Sequence, residues 1–129
     1  MADYHAPTRD LMFMLTEVLD AAHIRGLPDC DDYEPDTISA IVDEAGRFAS
    51  SVLAPLNASG DAEGVDWSAE GVTSASGFAD AYDRFVEAGW NGLTGDPEHG
   101  GMGMPRVLGA ATTELWNAAN MSFALCPLL

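Results

Sequence analysis

A glycine-rich segment at residues 100–105, GGMGMP, is the first part of the sequence that could do chemistry, because closely spaced glycines can wrap a phosphate group. Its glycine spacing differs from the GxGxxG pattern of dinucleotide-binding loops, and no strand is predicted in front of it. We therefore interpret the segment as a tight turn that leads into a helix, with Pro105 in the first helical turn.

The residue types that usually bind metals or act as nucleophiles show no recognisable pattern. Asp61, Glu63 and Asp66 lie close together, but the ligand spacing of a calcium loop and its closing glutamate are missing. Cys30 and Cys126 belong to no CxxC pair, and we interpret them as free thiols, with a disulfide between them as the alternative. The histidines lie at no metal-ligand spacing. The sequence therefore predicts no metal site, and it assigns no catalytic and no cofactor-binding residue.

The charge of the chain is strongly one-sided. Its 129 residues include 21 acids against 5 basic residues, all of them arginine, which gives a net charge of −16. Such a surface repels phosphate backbones and anionic membranes, so nucleic acid is excluded as a predicted partner. Two interpretations stay open: a solvated acidic surface from a source with biased codon usage or a salty habitat, or electrostatic steering of a basic partner.

Length and hydropathy predict a folded cytoplasmic domain. The chain has the length of one domain, and its 47% of hydrophobic residues argues for a packed core. No apolar run approaches the ~20 residues that span a bilayer. The N-terminus shows no basic segment followed by an apolar one, so no secretory signal is predicted.

Apolar residues recur at helical spacing along the first half of the chain. An extended arm over the first ten residues is expected to lead into a helix over residues 10–23, with Asp10 as its N-cap. A second helix is predicted to begin at Pro35 and to carry one continuous apolar stripe. Pro55 is expected to kink this helix or to end it near Ala54, because proline lacks the N–H that a helix interior needs.

The second half of the chain alternates loops and helices. Residues 57–76 are polar and glycine-bearing, and we predict a long loop there. A third helix is predicted over residues 77–88 with Gly89 at its C-terminal end, and a fourth begins near Pro105, with a further helix start at Asn120. No segment shows convincing period-two alternation, so the predicted fold class is all-α with about five helices.

The order of these segments carries more information than any one of them. GWNGL at residues 89–93 is followed by DPEHGGMGMP at residues 96–105, by a helix with Glu114 near its centre, and by NMSF at residues 120–123. This order resembles the N-terminal helical domain of the acyl-CoA dehydrogenase family, which has a glycine–tryptophan pair, a PExGGxGxP turn and a helix with a central glutamate.

A second match is independent of the first. YHAPTRDLMF at residues 4–13 and GDAEG at residues 60–64 resemble one subgroup of that family, which has an extra N-terminal segment and includes the methylthiopropanoyl-CoA dehydrogenases. Together the two matches cover nearly the whole chain. They divide it into an arm and first helix at residues 1–33 and the dehydrogenase N-terminal domain, truncated at its C-terminal end, at residues 34–129.

The resemblance implies a longer parent enzyme that holds FAD and acts in fatty acid metabolism. Such enzymes remove a proton from the α-carbon of an acyl-CoA thioester and pass hydride from the β-carbon to the flavin, which electron-transfer flavoprotein reoxidises. A central β domain and a C-terminal helical bundle supply the catalytic glutamate and most flavin contacts. We expect this chain to be a fragment that lacks both parts and is inactive alone, and the full-length enzyme to be a homo-oligomer.

The resemblance also implies which residues meet the substrate. In the family, the helix after the glycine-rich turn usually lines part of the acyl-chain cavity together with its end. The implied pocket residues are therefore Glu114, Ala118, Met121 and Phe123. Two alternatives stay open: Glu114 as a surface acid, and Met121 and Phe123 as plain core residues.

A recess for electron-transfer flavoprotein is the remaining implied site. Its candidate residues are Leu53, Leu56, Phe78 and Tyr82, with ordinary packing between helices as the alternative. The alternative to the dehydrogenase interpretation as a whole is a stand-alone helical module, whose apolar helix faces would bind a partner protein.

Overall fold

The computed structural model describes residues 4–128 and confirms an all-α fold with one small two-stranded sheet. The predicted arm and the apolar C-terminal end lie partly outside the described residues, at residues 1–3 and at Leu129. The α-helices are α1 Thr8–Phe13, α2 Ala21–Arg25, α3 Pro35–Phe48, α4 Ala54–Glu63, α5 Phe78–Glu87 and α6 Arg106–Leu128, and the strands are β1 Asp66–Ser68 and β2 Gly71–Thr73.

The predicted single helix over residues 10–23 is wrong in its bounds and its continuity. α1 begins at Thr8, directly after Pro7, so Asp10 lies inside the helix and does not cap it. The helix continues as a π-helical turn over Met14–Val18 and then ends. Asp20 has a left-handed φ of 54°, and its carboxylate accepts a hydrogen bond from the amide of His23, so it caps α2 as a separate helix.

Pro55 does not end the second helix. α3 continues through a π-helical turn at Ala49–Leu53 directly into α4, and Pro55 lies in the first turn of α4. A proline needs no hydrogen-bonded N–H at that position, and the wider π turn before it gives the pyrrolidine ring room. The predicted start at Pro35 is confirmed.

The predicted loop over residues 57–76 is also wrong, because α4 extends to Glu63 and a hairpin follows it. β1 and β2 pair antiparallel with Trp67 opposite Val72. Each strand is only three residues long and exposed on both faces, so no alternation of polar and apolar residues marks it in the sequence. Gly60, which favoured the loop prediction, lies within α4. A glycine is needed there because a Cβ would lie 2.5 Å from the ring of Phe78 on α5.

The third and fourth helices are confirmed as predicted, and so is the tight glycine-rich turn between them. The turn folds back on the preceding loop: the amide of Met102 donates to the carbonyl oxygen of Gly92 at 2.8 Å, and that of Gly103 to Gly95 at 2.9 Å. A Cβ on Gly101 would lie 2.2 Å from the carbonyl carbon of Gly95. Gly101 is therefore required by contact between two backbones.

An aromatic cluster joins the long helices in the core. The ring of Trp116 on α6 packs edge-on against Phe48 of α3 at 5.6 Å and against Phe85 of α5 at 5.8 Å between centroids. Trp90 contacts Trp116 from the loop side, and Phe123 contacts Phe85 further along α6. Such rings bury much area each, so this cluster fixes how α3, α5 and α6 cross.

The N-terminal arm packs on the domain at two points. The hydroxyl of Tyr4 donates to the carbonyl oxygen of Leu115 on α6 at 3.4 Å. Thr8 crosses α3 at Gly46, where a Cβ would lie 2.6 Å from the methyl group of Thr8. Leu11 and Leu15 are buried in the same core cluster as α3 and α6, so the described part of residues 1–33 packs against the rest of the chain.

Asn120 restarts the helix within α6, as predicted. Its backbone departs from helical geometry with φ −160° and ψ 92°, and its side chain is buried. The side-chain oxygen accepts from the amide of Phe123 at 3.1 Å and from the hydroxyl of Ser122 at 2.8 Å, which caps the second half of α6. The side-chain nitrogen donates to the carbonyl oxygen of Leu53 at 3.1 Å, in the π turn of the long helix.

Replacing Asn120 by alanine should lower the free energy of unfolding by about 2–4 kcal/mol, because the cap is lost and buried backbone groups lose their partners. Urea unfolding followed by circular dichroism measures this loss. Asn117→Ala is the matched control, since its amide bonds only the carbonyl oxygen of Thr113 one turn earlier and should cost about 1 kcal/mol or less. Equal losses in the two variants would contradict the role given to Asn120.

Candidate functional site

An apolar groove of about 1090 Å³ lies between the end of α4, the start of α5 and the second half of α6. The kink at Asn120 and the close approach of α4 to Phe78 at Gly60 place these three segments around one space. Apolar side chains on its wall include Tyr82, Met121, Phe123 and Leu125. We refer to this space as the apolar groove.

The structure brings two of the four predicted pocket residues together in the apolar groove. Met121 is 60% exposed and borders it, whereas Phe123 is 2% exposed and contributes to both its wall and the core. Glu114 and Ala118 are exposed on the first half of α6 and do not line the groove. Glu114 lies near the N-terminal arm instead, where its charge acts on Tyr4.

Two tyrosines have raised pKa values, for reasons that lie in the packing. Burial raises the pKa of Tyr4, and the nearby negative charge of Glu114 raises it further. Tyr33 is fully buried in the core, and this burial alone raises the pKa of its hydroxyl group. Neither tyrosine borders the apolar groove, so these pKa changes do not point to acid–base chemistry there.

Sequence reasoning missed Leu125 and Ala75 as groove residues. Leu125 follows Met121 by one helical turn and is 51% exposed, so continuing the helical spacing past Asn120 would have found it. Ala75 lies between the hairpin and α5, in the segment predicted as a loop, and no pattern in the sequence marks it.

The candidate recess for a redox partner is only partly accessible. Leu53 is fully buried in the core. Leu56 packs at Gly77, where a Cβ would lie 2.8 Å from one of its methyl carbons, and the ring of Phe78 packs over Gly60. Tyr82 is 41% exposed and lines the apolar groove. Packing between helices therefore accounts for most of these side chains, and Tyr82 provides an exposed surface.

Two features of residues 4–128 bear on metal binding and on membrane crossing. No group of three or more histidine, cysteine, aspartate or glutamate residues there could hold a metal ion. Within the same range, no helix is both long enough and apolar enough to cross a membrane.

The helical fold agrees with the family that the motifs resemble, and comparison with curated proteins supports that resemblance. No protein-family model matches the sequence. The chain is 44% identical over 126 residues to 3-methylmercaptopropionyl-CoA dehydrogenase of Ruegeria pomeroyi. This match covers 98% of this chain and 21% of that protein. It is 30% identical over 110 residues to the broad-specificity linear acyl-CoA dehydrogenase FadE5 of Mycobacterium tuberculosis, covering 84% of this chain and 18% of that protein.

These comparisons confirm the resemblance stated from the motifs. The chain matches an acyl-CoA dehydrogenase N-terminal region, and it spans about one fifth of the length of the curated relatives that it matches.

The apolar groove should bind a neutral apolar dye such as Nile red, because its wall offers exposed methionine and leucine side chains. A neutral dye is needed since the net charge of −16 repels anionic ones. The double variant Met121→Gln, Leu125→Gln should lower dye fluorescence by about half or more. The control Leu19→Gln, Val86→Gln removes two exposed apolar side chains outside the groove. A control variant that loses as much fluorescence would show that the dye does not select the groove.

Proposed function

We propose that this chain forms the N-terminal helical domain of an FAD-dependent acyl-CoA dehydrogenase and contributes a wall of its acyl-chain cavity. The observation that carries the proposal is the 44% identity to 3-methylmercaptopropionyl-CoA dehydrogenase over 126 residues. The reaction of the parent enzyme is then the α,β-dehydrogenation of an acyl-CoA thioester, with electrons passing to electron-transfer flavoprotein.

The chemistry of the apolar groove supports an acyl chain as its occupant. Its wall is mainly apolar, and the polar groups that border it include Asn57, Ser74 and Ser122. An alkyl chain needs apolar surface and few polar partners, so burial of its methylene groups provides the affinity. Met121 and Phe123 would contact the acyl chain directly. Glu114 and Ala118 would influence the acyl-chain cavity indirectly, from the neighbouring exposed face of α6.

The apolar groove does not fit the pyrophosphate of FAD. The residues that line the apolar groove include no arginine or lysine to pair with a pyrophosphate, and Asp61 adds a negative charge. FAD would therefore be held mainly by other parts of the parent enzyme, where it accepts the hydride from the substrate. This chain would shape the substrate cavity and exclude water from it.

Several properties of the parent enzyme follow from the same proposal. The chain alone would be inactive toward acyl-CoA thioesters, and the parent enzyme would be a cytoplasmic homo-oligomer of fatty acid metabolism. Electron-transfer flavoprotein would contact the exposed surface around Tyr82, next to the groove.

A chimeric enzyme tests the proposed function. In the Ruegeria pomeroyi dehydrogenase, the matched segment is replaced by the corresponding residues of this chain. We expect the chimera to bind flavin and to reduce an artificial electron acceptor with 3-methylmercaptopropionyl-CoA, while the 129-residue chain alone stays colourless and inactive. The unmodified dehydrogenase and a version without the segment are the controls. A chimera that folds and binds flavin but reduces no acceptor would leave the stand-alone interaction module as the better interpretation.

The acyl-cavity role predicts a change of chain-length preference in the same chimera. Met121→Phe adds a ring to the wall of the apolar groove, so kcat/KM for the longest accepted thioester should fall by about tenfold or more. Ala118→Phe adds its ring on the exposed face outside the groove and should have a smaller effect. The value for the shortest thioester should change little. Val86→Phe, on the exposed face of α5 away from the groove, is the control. A parallel fall for all chain lengths would assign the two positions a purely structural role.

A further inference from the structure

A second cavity of about 260 Å³ lies where the loop before the glycine-rich turn meets α6, and residues from both halves of α6 line it. It shares no lining residue with the apolar groove. Its floor consists of buried side chains, among them Phe85, Leu93 and Trp116. Its mouth is formed by the exposed residues Asn91, Thr94 and Arg106. We refer to this space as the arginine cavity.

The lining of the arginine cavity carries one positive charge and no negative one, in contrast to the acidic chain as a whole. The chain has 21 acids, but none of them lines this cavity, whereas one of its arginines does. The described part of the chain provides no ion-pair partner for Arg106; its ion pairs are those of Arg25 with Glu34 and of Arg47 with Glu44. The guanidinium group of Arg106 is therefore free to pair with an anion.

Trp90 adds a hydrogen-bond donor to the wall of the arginine cavity. Its indole nitrogen is buried and has no acceptor among residues 4–128. A buried N–H group without a partner is unfavourable, so a ligand that brings an acceptor oxygen next to this nitrogen gains a hydrogen bond that the described residues do not supply. Thr112 is 3% exposed on the same wall, and its hydroxyl, which donates to the carbonyl oxygen of Gly109, can still accept a hydrogen bond.

We propose that the arginine cavity binds a small carboxylate with a short apolar tail. The carboxylate oxygens accept hydrogen bonds from Arg106 and from the indole N–H of Trp90, and the tail packs against Phe85 and Trp116. The cavity volume of about 260 Å³ suits a ligand of a few carbon atoms and excludes a nucleotide. This inference concerns a different space from the acyl cavity and does not depend on the proposed dehydrogenase function.

The test is a titration of the ¹⁵N-labelled 129-residue chain with sodium butanoate, followed by the indole N–H signals of its three tryptophans. Sodium chloride at about 0.15 M screens the overall negative charge. The Trp90 signal should shift and saturate, whereas that of Trp67, 77% exposed in the hairpin, should not move. Butanol, with the same tail but no charge, should bind about tenfold more weakly, and inorganic phosphate, with no tail, should also bind more weakly.

Two arginine variants separate the arginine cavity from general attraction to positive charge. Arg106→Gln should weaken butanoate binding by about tenfold, because the charge-assisted hydrogen bonds are lost. Arg84→Gln removes an equally exposed arginine that does not line the cavity and should leave binding unchanged. The proposal is overturned if the Trp90 signal shows no saturable shift, if the two variants bind alike, or if phosphate binds as tightly as butanoate.

Discussion

The side chain of Asn120 ties the two longest helical segments together at the points where each departs from regular α-helical geometry. Its amide nitrogen donates to the carbonyl oxygen of Leu53 in the π turn. Its amide oxygen accepts from the backbone N–H of Phe123 and so caps the new helix start. Burying an amide is unfavourable unless its donors and acceptors are satisfied, so the kink and the π turn must keep their positions relative to each other. The directions of the α6 halves and the position of the apolar groove depend on this contact.

The kink at Asn120 also divides the surroundings of α6. The first half places Trp116 in the aromatic core and leaves Glu114 beside the N-terminal arm. The second half turns Met121 toward α4 and α5, where the apolar groove opens. One helix therefore borders two spaces: the apolar groove meets only its second half, whereas the arginine cavity meets its first half and also Ala124 and Pro127 near its end.

The elements that could be predicted from the sequence are those whose signal is local. Apolar spacing and Pro35 located the long helix, and Asn120 marked the restart of α6. What could not be predicted depends on distant contacts: Pro55 lies in a continuing helix because a π turn precedes it. The resemblance implied one pocket for Ala118 and Met121, but the kink between them puts only Met121 in the apolar groove.

The contact between Gly95 and Gly101 has a consequence for how mutational data on this domain are read. No side chain fits at residue 101, because its first carbon would overlap the backbone of the neighbouring loop. A survey of random substitutions would therefore score this glycine to be as intolerant as a catalytic residue, although packing between two backbones is enough to explain the intolerance. Intolerance here reports on the chain's ability to fold, and only measurements on soluble, folded protein distinguish that from a loss of chemistry.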